Sequence, residues 1–597
     1  MPESLLVGLS AVIVLGVGAQ WLAWRLRLPS ILLLMLFGFL AGPEVAGWVD
    51  PDLFFGNLLL PIVSLSVALL LFEGGLTLHW SEIESQSRVV LRLVTLGALA
   101  TWILATGAAH YVGGVEWEPA VLLGAILVVT GPTVVGPLLR QIRPTGAVGP
   151  ILKWEGILID PVGAVLAVLV LEGILASSTE SAVLGAFGGI FITLIAGGGI
   201  GIAAGWFLTL VLQRYWLPDH LHSPVALALA IAAFVAGNAA HHEAGLLSVT
   251  LMGVYLGNQN RVEIGHIVEF KETVQVLLIA ALFILMSARI RIDDLQQLGG
   301  GAFAFVLLLF VVVRPASVFL CTIGSSLKRT EKLFLSCMAP RGIVAAAIAS
   351  VFALRLEQLG VEGARMIVPY VFLTIVTTVA VYGLGGGPLA IRLGLANPKP
   401  QGILMLGAHE WARDIAAALQ ELGVRVLLVD TNINNTRSAR MAGLPVLHGS
   451  LLSESTDEDI DLQGIGRLFA LTPNDEVNTL AGLHYRHLFG RAEIYQLGAS
   501  KQSTSSVTES QRGRVLFGDE CGFSSLSRRF NGGARAKATL LTEQFDFAAW
   551  RAMHGDAALP LLSVDADARV QVATANDQLD PKPGVTLIAL VRETESA

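Results

Sequence analysis

Charge is scarce in this chain of 597 residues: only 14% are Asp, Glu, Lys or Arg, against 54% hydrophobic. With a mean hydropathy of +0.67, that excludes a single soluble domain and places most of the protein in a bilayer. The scarcity is uneven. Residues 1–397 hold 43 charged side chains and residues 398–597, about half as long a stretch, hold another 43. A membrane part is therefore followed by a soluble part. A basic excess is also missing, since 39 Lys and Arg face 47 Asp and Glu for a net charge of −8, and nothing can hold a phosphate backbone, so nucleic acid is no partner. Cysteine is rare: Cys321, Cys337 and Cys521 lie far apart without metal-type spacing and read as reduced structural thiols. The apolar half has no nucleophile–base or metal set, which argues against an intramembrane enzyme.

A spanning helix needs roughly 20 mostly apolar residues. That ruler gives about thirteen spans: 5–24, 29–47, 57–78, 88–112, 118–139, 150–171, 183–213, 223–240, 244–258, 273–289, 299–322, 332–354 and 365–391. Every second loop is basic, with Arg25 and Arg27, Arg88 and Arg92, Arg140, Arg143 and Lys153, Arg214, Arg261 and Lys271, Lys328, Arg329 and Lys332, then Arg392 and Lys399. The intervening loops near Pro43–Gly56, Gly113–Glu118, Gly173–Ser181 and Asn238–Glu243 have no Lys or Arg; Arg289 with Arg291 and Arg355 with Arg365 break the alternation. The positive-inside rule then sets the N-terminus outside and the C-terminus in the cytoplasm. The leader MPES lacks positive charge, so the first span reads as a retained helix.

Ionisable residues at membrane depth need a partner, a wet cavity or a function. In the sixth span, Glu155 and Asp160 are five residues apart, about 140° around a helix, and face different neighbours. The fifth span is broken by Thr130-Gly131-Pro132-Thr133, where Pro132 removes a donor and Gly131 permits unwinding. A second break, Ala339-Pro340-Arg341-Gly342, interrupts the twelfth. Interrupted helices in corresponding halves of a long bundle indicate an inverted-repeat secondary transporter with its site at the midplane, where freed carbonyls and half-helix ends bind cations. Glu155 and Arg341 are expected to pair across low dielectric, Arg314 before Pro315 to satisfy freed carbonyls, and Glu73 either to touch the ion path or to be a buried helix polar group. His241-His242-Glu243 resembles a metal cluster only superficially, since adjacent histidines do not share a helix face.

At these residues the chain resembles the monovalent cation:proton antiporters of the NhaP and eukaryotic Na⁺/H⁺-exchanger type, over residues 5–393. Members show a Thr-Asp-Pro break, Glu-Ser-x-x-Asn-Asp in the next helix, and Arg-Gly in the second broken helix; Thr130-Gly131-Pro132, Glu155 to Asp160, and Arg341-Gly342 stand there in this sequence. The resemblance implies a homodimer in which Asp160 binds Na⁺ or K⁺ and H⁺ alternately, helped by Thr130, Thr133 and Glu73, with Glu155 and Arg341 as the buried pair. Gly131, Gly156 and Ile159 replace a family acid, serine and asparagine, which thins the ligand set and leaves Na⁺ against K⁺ open. One free carboxylate suggests one cation per proton and no net charge moved.

After Asn397-Pro-Lys-Pro400 the pattern turns to strands and helices: Gly402–Leu406, Trp411–Leu422 and Val424–Val429 form a βαβ unit closing on Asp430. Its turn, Gly407-Ala-His409-Glu-Trp-Ala412, stands where dinucleotide folds have G-x-G-x-x-G, and Asp430 where a ribose-binding acid would be. With Leu447-His-Gly449-Ser450 and Leu471-Thr472-Pro-Asn474 further on, residues 398–500 resemble the TrkA-N, or RCK, regulatory domains. The resemblance implies a Rossmann-like cytoplasmic unit that gates or tunes transport, with a regulatory nucleotide near Gly407, His409, Asp430 and Thr472. His409 displaces a phosphate-approach glycine, so NAD is disfavoured against a mononucleotide or no ligand, and no cofactor is required. Ser503–Ser510 reads as a linker, and residues 501–597 as a degenerate RCK C-terminal module. An RCK-gated cation channel is the rival reading, but it needs a T-V-G-Y-G filter loop that the sequence lacks.

Overall fold

The computed structural model describes residues 2–592 except 27, 84–85, 143, 176–187, 190, 242, 263, 297, 397–399, 452–461, 463, 499–511, 519–520 and 556–557. The Ser503–Ser510 linker, most of the Asn397 to Pro400 junction, Arg27, Arg143, His242, Lys399 and part of the Gly173–Ser181 loop lie outside the described residues, as do the side chains of Arg140 and Lys271. The chain divides into two compact units, Met1–Ala396 and Asn397–Ala597.

The first unit is all helix. Among its described residues, eight helices are long and apolar enough to cross a membrane and four shorter apolar ones accompany them. With the half-helices Pro132–Ile142, Arg329–Ser336 and Ile343–Gln358 added, the order along the chain is α1 Pro2–Leu26, α2 Ser30–Ala41, α3 Pro51–Leu76, α4 Ser87–Tyr111, α5a Trp117–Ile126, α5b Pro132–Ile142, α6 Val148–Leu175, α7 Thr193–Gln213, α8 His222–Ala240, α9 Ala244–Gly257, α10 Gly265–Ala288, α11 Gly300–Cys321, α12a Arg329–Ser336, α12b Ile343–Gln358 and α13 Ile367–Arg392. Every expected span has its helix, and the fifth and twelfth are each split in two. α2 is shorter than the expected 29–47, because its last residues leave the helix at Gly42. Local chemistry sets some starts: Asp50 caps α3 by accepting from Leu53 N at 3.0 Å, and Pro51 takes the first helical position, where its missing N–H is not needed.

Tight helix contacts run through glycine, as expected where lipid supplies no hydrophobic drive and backbones must approach closely. A Cβ on Gly253 of α9 would stand 2.2 Å from the Phe72 carbonyl oxygen of α3. The two helices therefore pack backbone against backbone at this point. α4, α7 and α11 each contain one π turn, at Leu93–Gly97, Thr193–Gly197 and Leu309–Val313.

The second unit has a six-stranded parallel sheet in the order β3-β2-β1-β4-β5-β6, with β1 Gly402–Leu406, β2 Val426–Asp430, β3 Val446–His448, β4 Ile465–Ala470, β5 Ile494–Gln496 and β6 Arg514–Val515. This is the doubly wound dinucleotide-fold order, reversing between β1 and β4. Because β6 belongs to it, the sheet extends past the expected limit at residue 500. An antiparallel sheet, β7-β10-β8-β9, follows, with β7 Ala534–Leu540, β8 Leu559–Val564, β9 Val570–Val572 and β10 Thr586–Arg592. The apolar run Leu587–Val591 is the middle of β10, buried at each residue.

Candidate functional site

The two helix breaks meet. A Cβ placed on Gly131 would lie 2.5 Å from the Gly342 Cα, and one on Gly342 would lie 2.5 Å from the Gly131 Cα. Only glycine at both positions lets the chains cross this closely. α5b begins at Pro132 and α12b after Gly342, so two half-helix N-termini start at the crossing while α5a and α12a end near it.

Asp160 faces this crossing. Gly156, Asp160 and Gly163 fall at i, i+4 and i+7 on α6 and share one side. A Cβ on Gly156 would meet the Thr130 carbonyl oxygen at 3.7 Å, and one on Gly163 would meet Val129 N at 3.3 Å. The carboxylate between them is therefore directed at the unwound Val129–Thr130 segment. Asp160 is fully buried, and neither of its oxygens has a hydrogen-bond partner in the protein. The buried Thr133 hydroxyl of α5b is likewise unpartnered.

The carbonyls around the break are not equally available. Val128 and Val129 each accept from the Arg341 guanidinium, at 3.1 and 3.0 Å, and the Gly131 carbonyl accepts from Val134 N and Val135 N. Among the described residues no hydrogen bond reaches the Thr130 carbonyl. Asp160, the Thr133 hydroxyl and the Thr130 carbonyl are thus among the oxygens left available at the crossing, a hard-oxygen set suited to an alkali cation with water completing its shell. Glu73 is buried on α3 beside Gly74, which packs on the Ile157 side chain of α6, three residues before Asp160.

The expected Glu155–Arg341 pair does not form. Glu155 pairs with Arg314 of α11: Arg314 Nη1 donates to Oε1, and Nη2 donates to Oε2 at 2.9 Å. The reason is angular, because a residue about 140° from Asp160 looks away from the crossing and towards α11 and α12a. Arg314 also donates to the Leu335 and Met338 carbonyls at 3.1 and 3.0 Å. Each broken helix thus has an arginine on the carbonyl end of its first half, Arg341 on α5a and Arg314 on α12a, as cations suit helix C-termini. Sequence reasoning missed Arg314 as the partner; its only signal was a charge inside an apolar span.

In the second unit Gly407, His409, Asp430 and Thr472 do come together, around a cavity of about 310 Å³ that Asn435, Ser450 and Phe523 help to line. Asp430 and Thr472 are already engaged, whereas the buried His409 Nε2 has no hydrogen-bond partner among the described residues. Asp430 accepts from Ala408 N (2.7 Å), Asn432 N (2.8 Å) and Asn435 Nδ2 (2.9 Å), and Thr472 Oγ1 donates to Asn478 Oδ1 at 2.7 Å. The His409 ring stands over Gly407, with Cε1 3.0 Å from where a Cβ would be, and packs edge-on against Trp411 and Phe523. Burial lowers the His409 pKa to about 4, with Asp430 opposing the shift. A neutral, wedged imidazole fills the space through which a pyrophosphate would approach the loop. A dinucleotide in the usual pose does not fit these residues.

Two broken helices crossing at a buried, unpartnered carboxylate define a class, the secondary transporters that bind their ions at a midplane discontinuity. Residues 9–392 match the sodium/hydrogen exchanger transmembrane family and residues 403–510 the TrkA-N domain. The chain belongs to the sodium/hydrogen exchanger family, as a multi-pass cation/proton antiporter of the NhaP type carrying a TrkA-N domain. It is similar to the K(+)/H(+) antiporter NhaP2 of Shewanella baltica, 26% identical with 84% of this chain and 91% of the relative covered, and to the Na(+)/H(+) antiporter 1 of Methanocaldococcus jannaschii, 25% identical over 66% and 96%. The structure of the sodium proton antiporter MjNhaP1 from the same archaeon superposes with a TM-score of 0.55 at 25% identity, covering 64% of this chain and 97% of that one. The named relatives are transporters.

Proposed function

We propose that this protein exchanges Na⁺ or K⁺ for H⁺, one for one and without net charge movement, through alternate occupancy of Asp160. One observation carries the reading: both Asp160 oxygens are buried and unpartnered where the two breaks cross. Desolvation disfavours the bare carboxylate, so the residue holds either a proton or a cation, and competition between them couples the gradients. If only the neutralised site moves between the two faces, uncoupled leak is suppressed. Glu155 is paired with Arg314, which takes it out of the exchange, and with Asp160 as the exchanging acid and Glu73 at most an auxiliary ligand a single charge is compensated on each transit.

The sparse ligand set supports tolerance of both ions, since neither a second acid nor an amide side chain completes a compact shell for Na⁺. We place the N-terminus outside, in an inner membrane, on the Lys and Arg of the alternate loops; of the arginines that break the alternation, Arg289 pairs with Asp52 at 3.1 Å, Arg291 approaches Glu44 at 4.0 Å and Arg365 pairs with Glu357. We place the soluble unit in the cytoplasm as a regulator of a homodimer, responding to a ligand smaller than a dinucleotide or to none.

The test is dissipation of a pH gradient in everted vesicles on addition of Na⁺, K⁺ or Li⁺. Intact protein discharges the gradient, and Asp160→Asn abolishes the response while remaining folded. Retained exchange in that variant, or exchange that responds strongly to membrane potential at zero ion gradients, overturns the mechanism. Deleting residues 398–597 changes the rate if the soluble unit regulates, and thermal shifts with ATP, ADP, AMP and NADH identify a ligand.

A further inference from the structure

Outside the crossing, the first unit holds a small cavity that the exchange mechanism above does not use. Its volume is about 30 Å³ and its walls come from α3, α9 and α12b, enough room for about two waters. On α3 the lining residues are Leu60, Ser64 and Val67, and on α12b they are Val344, Ala347, Ile348, Val351 and Phe352. Each set recurs at helical spacing, so one face of each helix lines the seam. The seam starts at Val344, two residues past the Gly342 crossing, and runs outward along α12b for about 10 Å at 1.5 Å per residue.

Glu243 is the one ionisable side chain lining this cavity. It occupies the N-cap position of α9 but does not cap: its backbone is left-handed, φ 63°, and its side chain accepts no cap hydrogen bond. A capping residue has extended backbone and bonds its own helix start, and a non-glycine residue in the left-handed region persists only where its surroundings hold it. Asn238 Oδ1 instead takes the Gly245 N–H at 2.8 Å. The carboxylate is thus not used as a helix cap, and Glu243 lines the cavity instead. His241, its neighbour two residues back, hydrogen-bonds Thr193 of α7 through Nδ1 at 3.2 Å.

We propose that Glu243 is the outer collecting group for the transported cation, a carboxylate at the mouth of an α3–α12b seam that feeds Asp160 from the outer face. A single negative charge at the entrance of a low-dielectric slot raises the local cation concentration there, and Ser64 offers a hydroxyl part of the way in. The inference rests on the antiport reading and its orientation.

The test uses the full chain in vesicles of each orientation, varying Na⁺ or K⁺ on one face at a time and measuring KM and maximal rate. Glu243→Gln is expected to raise the outer-face KM at least about fivefold, to leave the inner-face KM unchanged, and to be rescued by Glu243→Asp. Equal KM changes at both faces, an unaltered outer KM, or failure of Glu243→Asp to rescue overturns the proposal. The unaltered inner-face KM also shows that the variant is folded. Absence of exchange by the intact protein from either face overturns the antiport reading itself, which separates the two failures.

Discussion

The pairing of Glu155 with Arg314, rather than with Arg341, makes a quantitative prediction. Removing one member of a buried pair leaves an uncompensated charge and costs about 3–5 kcal/mol, so Glu155→Gln alone is expected to fall in that range. Arg314→Gln is expected to cost more. It strands Glu155 and also removes the donors to the Leu335 and Met338 carbonyls, each worth about 1–3 kcal/mol when left buried and unsatisfied. The double variant recovers the charge part but not the carbonyl part, so the Glu155–Arg314 coupling energy is expected at about 2–4 kcal/mol. Arg341 bonds two carbonyls and no carboxylate, and the Glu155–Arg341 coupling is expected below about 1 kcal/mol. The assay is a pair of double-mutant cycles read by unfolding in mixed micelles. A Glu155–Arg341 coupling equal to or larger than the Glu155–Arg314 coupling refutes the assignment.

Gly156→Ser is expected to fold, since a Cβ there meets Val135 at 3.4 Å and the Thr130 carbonyl at 3.7 Å, both ordinary contacts. By adding a hydroxyl beside the site it is expected to lower the Na⁺ KM relative to that for K⁺ in the vesicle assay. Gly131→Ala is expected to inactivate, because its methyl would need about 1 Å of displacement at the crossing and overpacking costs about 1–3 kcal/mol; wild-type rates in that variant would show that the crossing is not tight. His409→Gly is expected to open the loop to a pyrophosphate and to gain a thermal shift with NADH that the intact protein lacks. His409 also gives a pH signature. Above pH 6.5 it is neutral folded or unfolded; between 6.5 and about 4 the unfolded chain takes up the proton first, so stability falls with pH and levels below about 4. The loss is at most about 3 kcal/mol. Unfolding of the full chain across that window is expected to lose part of its pH dependence in His409→Phe.

Much of this protein is written locally. Apolar length fixes the spans, because any segment in lipid must satisfy its own backbone. Thr130-Gly131-Pro132 and Ala339-Pro340-Arg341-Gly342 fix the breaks, because a missing donor and a missing Cβ act on the chain wherever they occur. Asp160 stood out for the same reason, as a charge that burial makes costly unless it is used. The βαβ spacing up to Asp430 fixed the first parallel strand pair of the sheet.

What tertiary structure decided is which group meets which. Two arginines and one glutamate were all visible at membrane depth, but helix rotation and the position of the crossing, properties of packing among segments far apart in sequence, gave Glu155 to Arg314 and the α5a carbonyls to Arg341. That choice also decided which carbonyls remain for a cation, a matter no count of broken helices contains. In the soluble unit the sequence placed His409 in the loop, yet only the fold set its ring over Gly407 and against Phe523, more than a hundred residues away. Local rules act through bonds and backbone sterics over a few residues. Pairing and exclusion depend on contacts that exist only once the chain has closed.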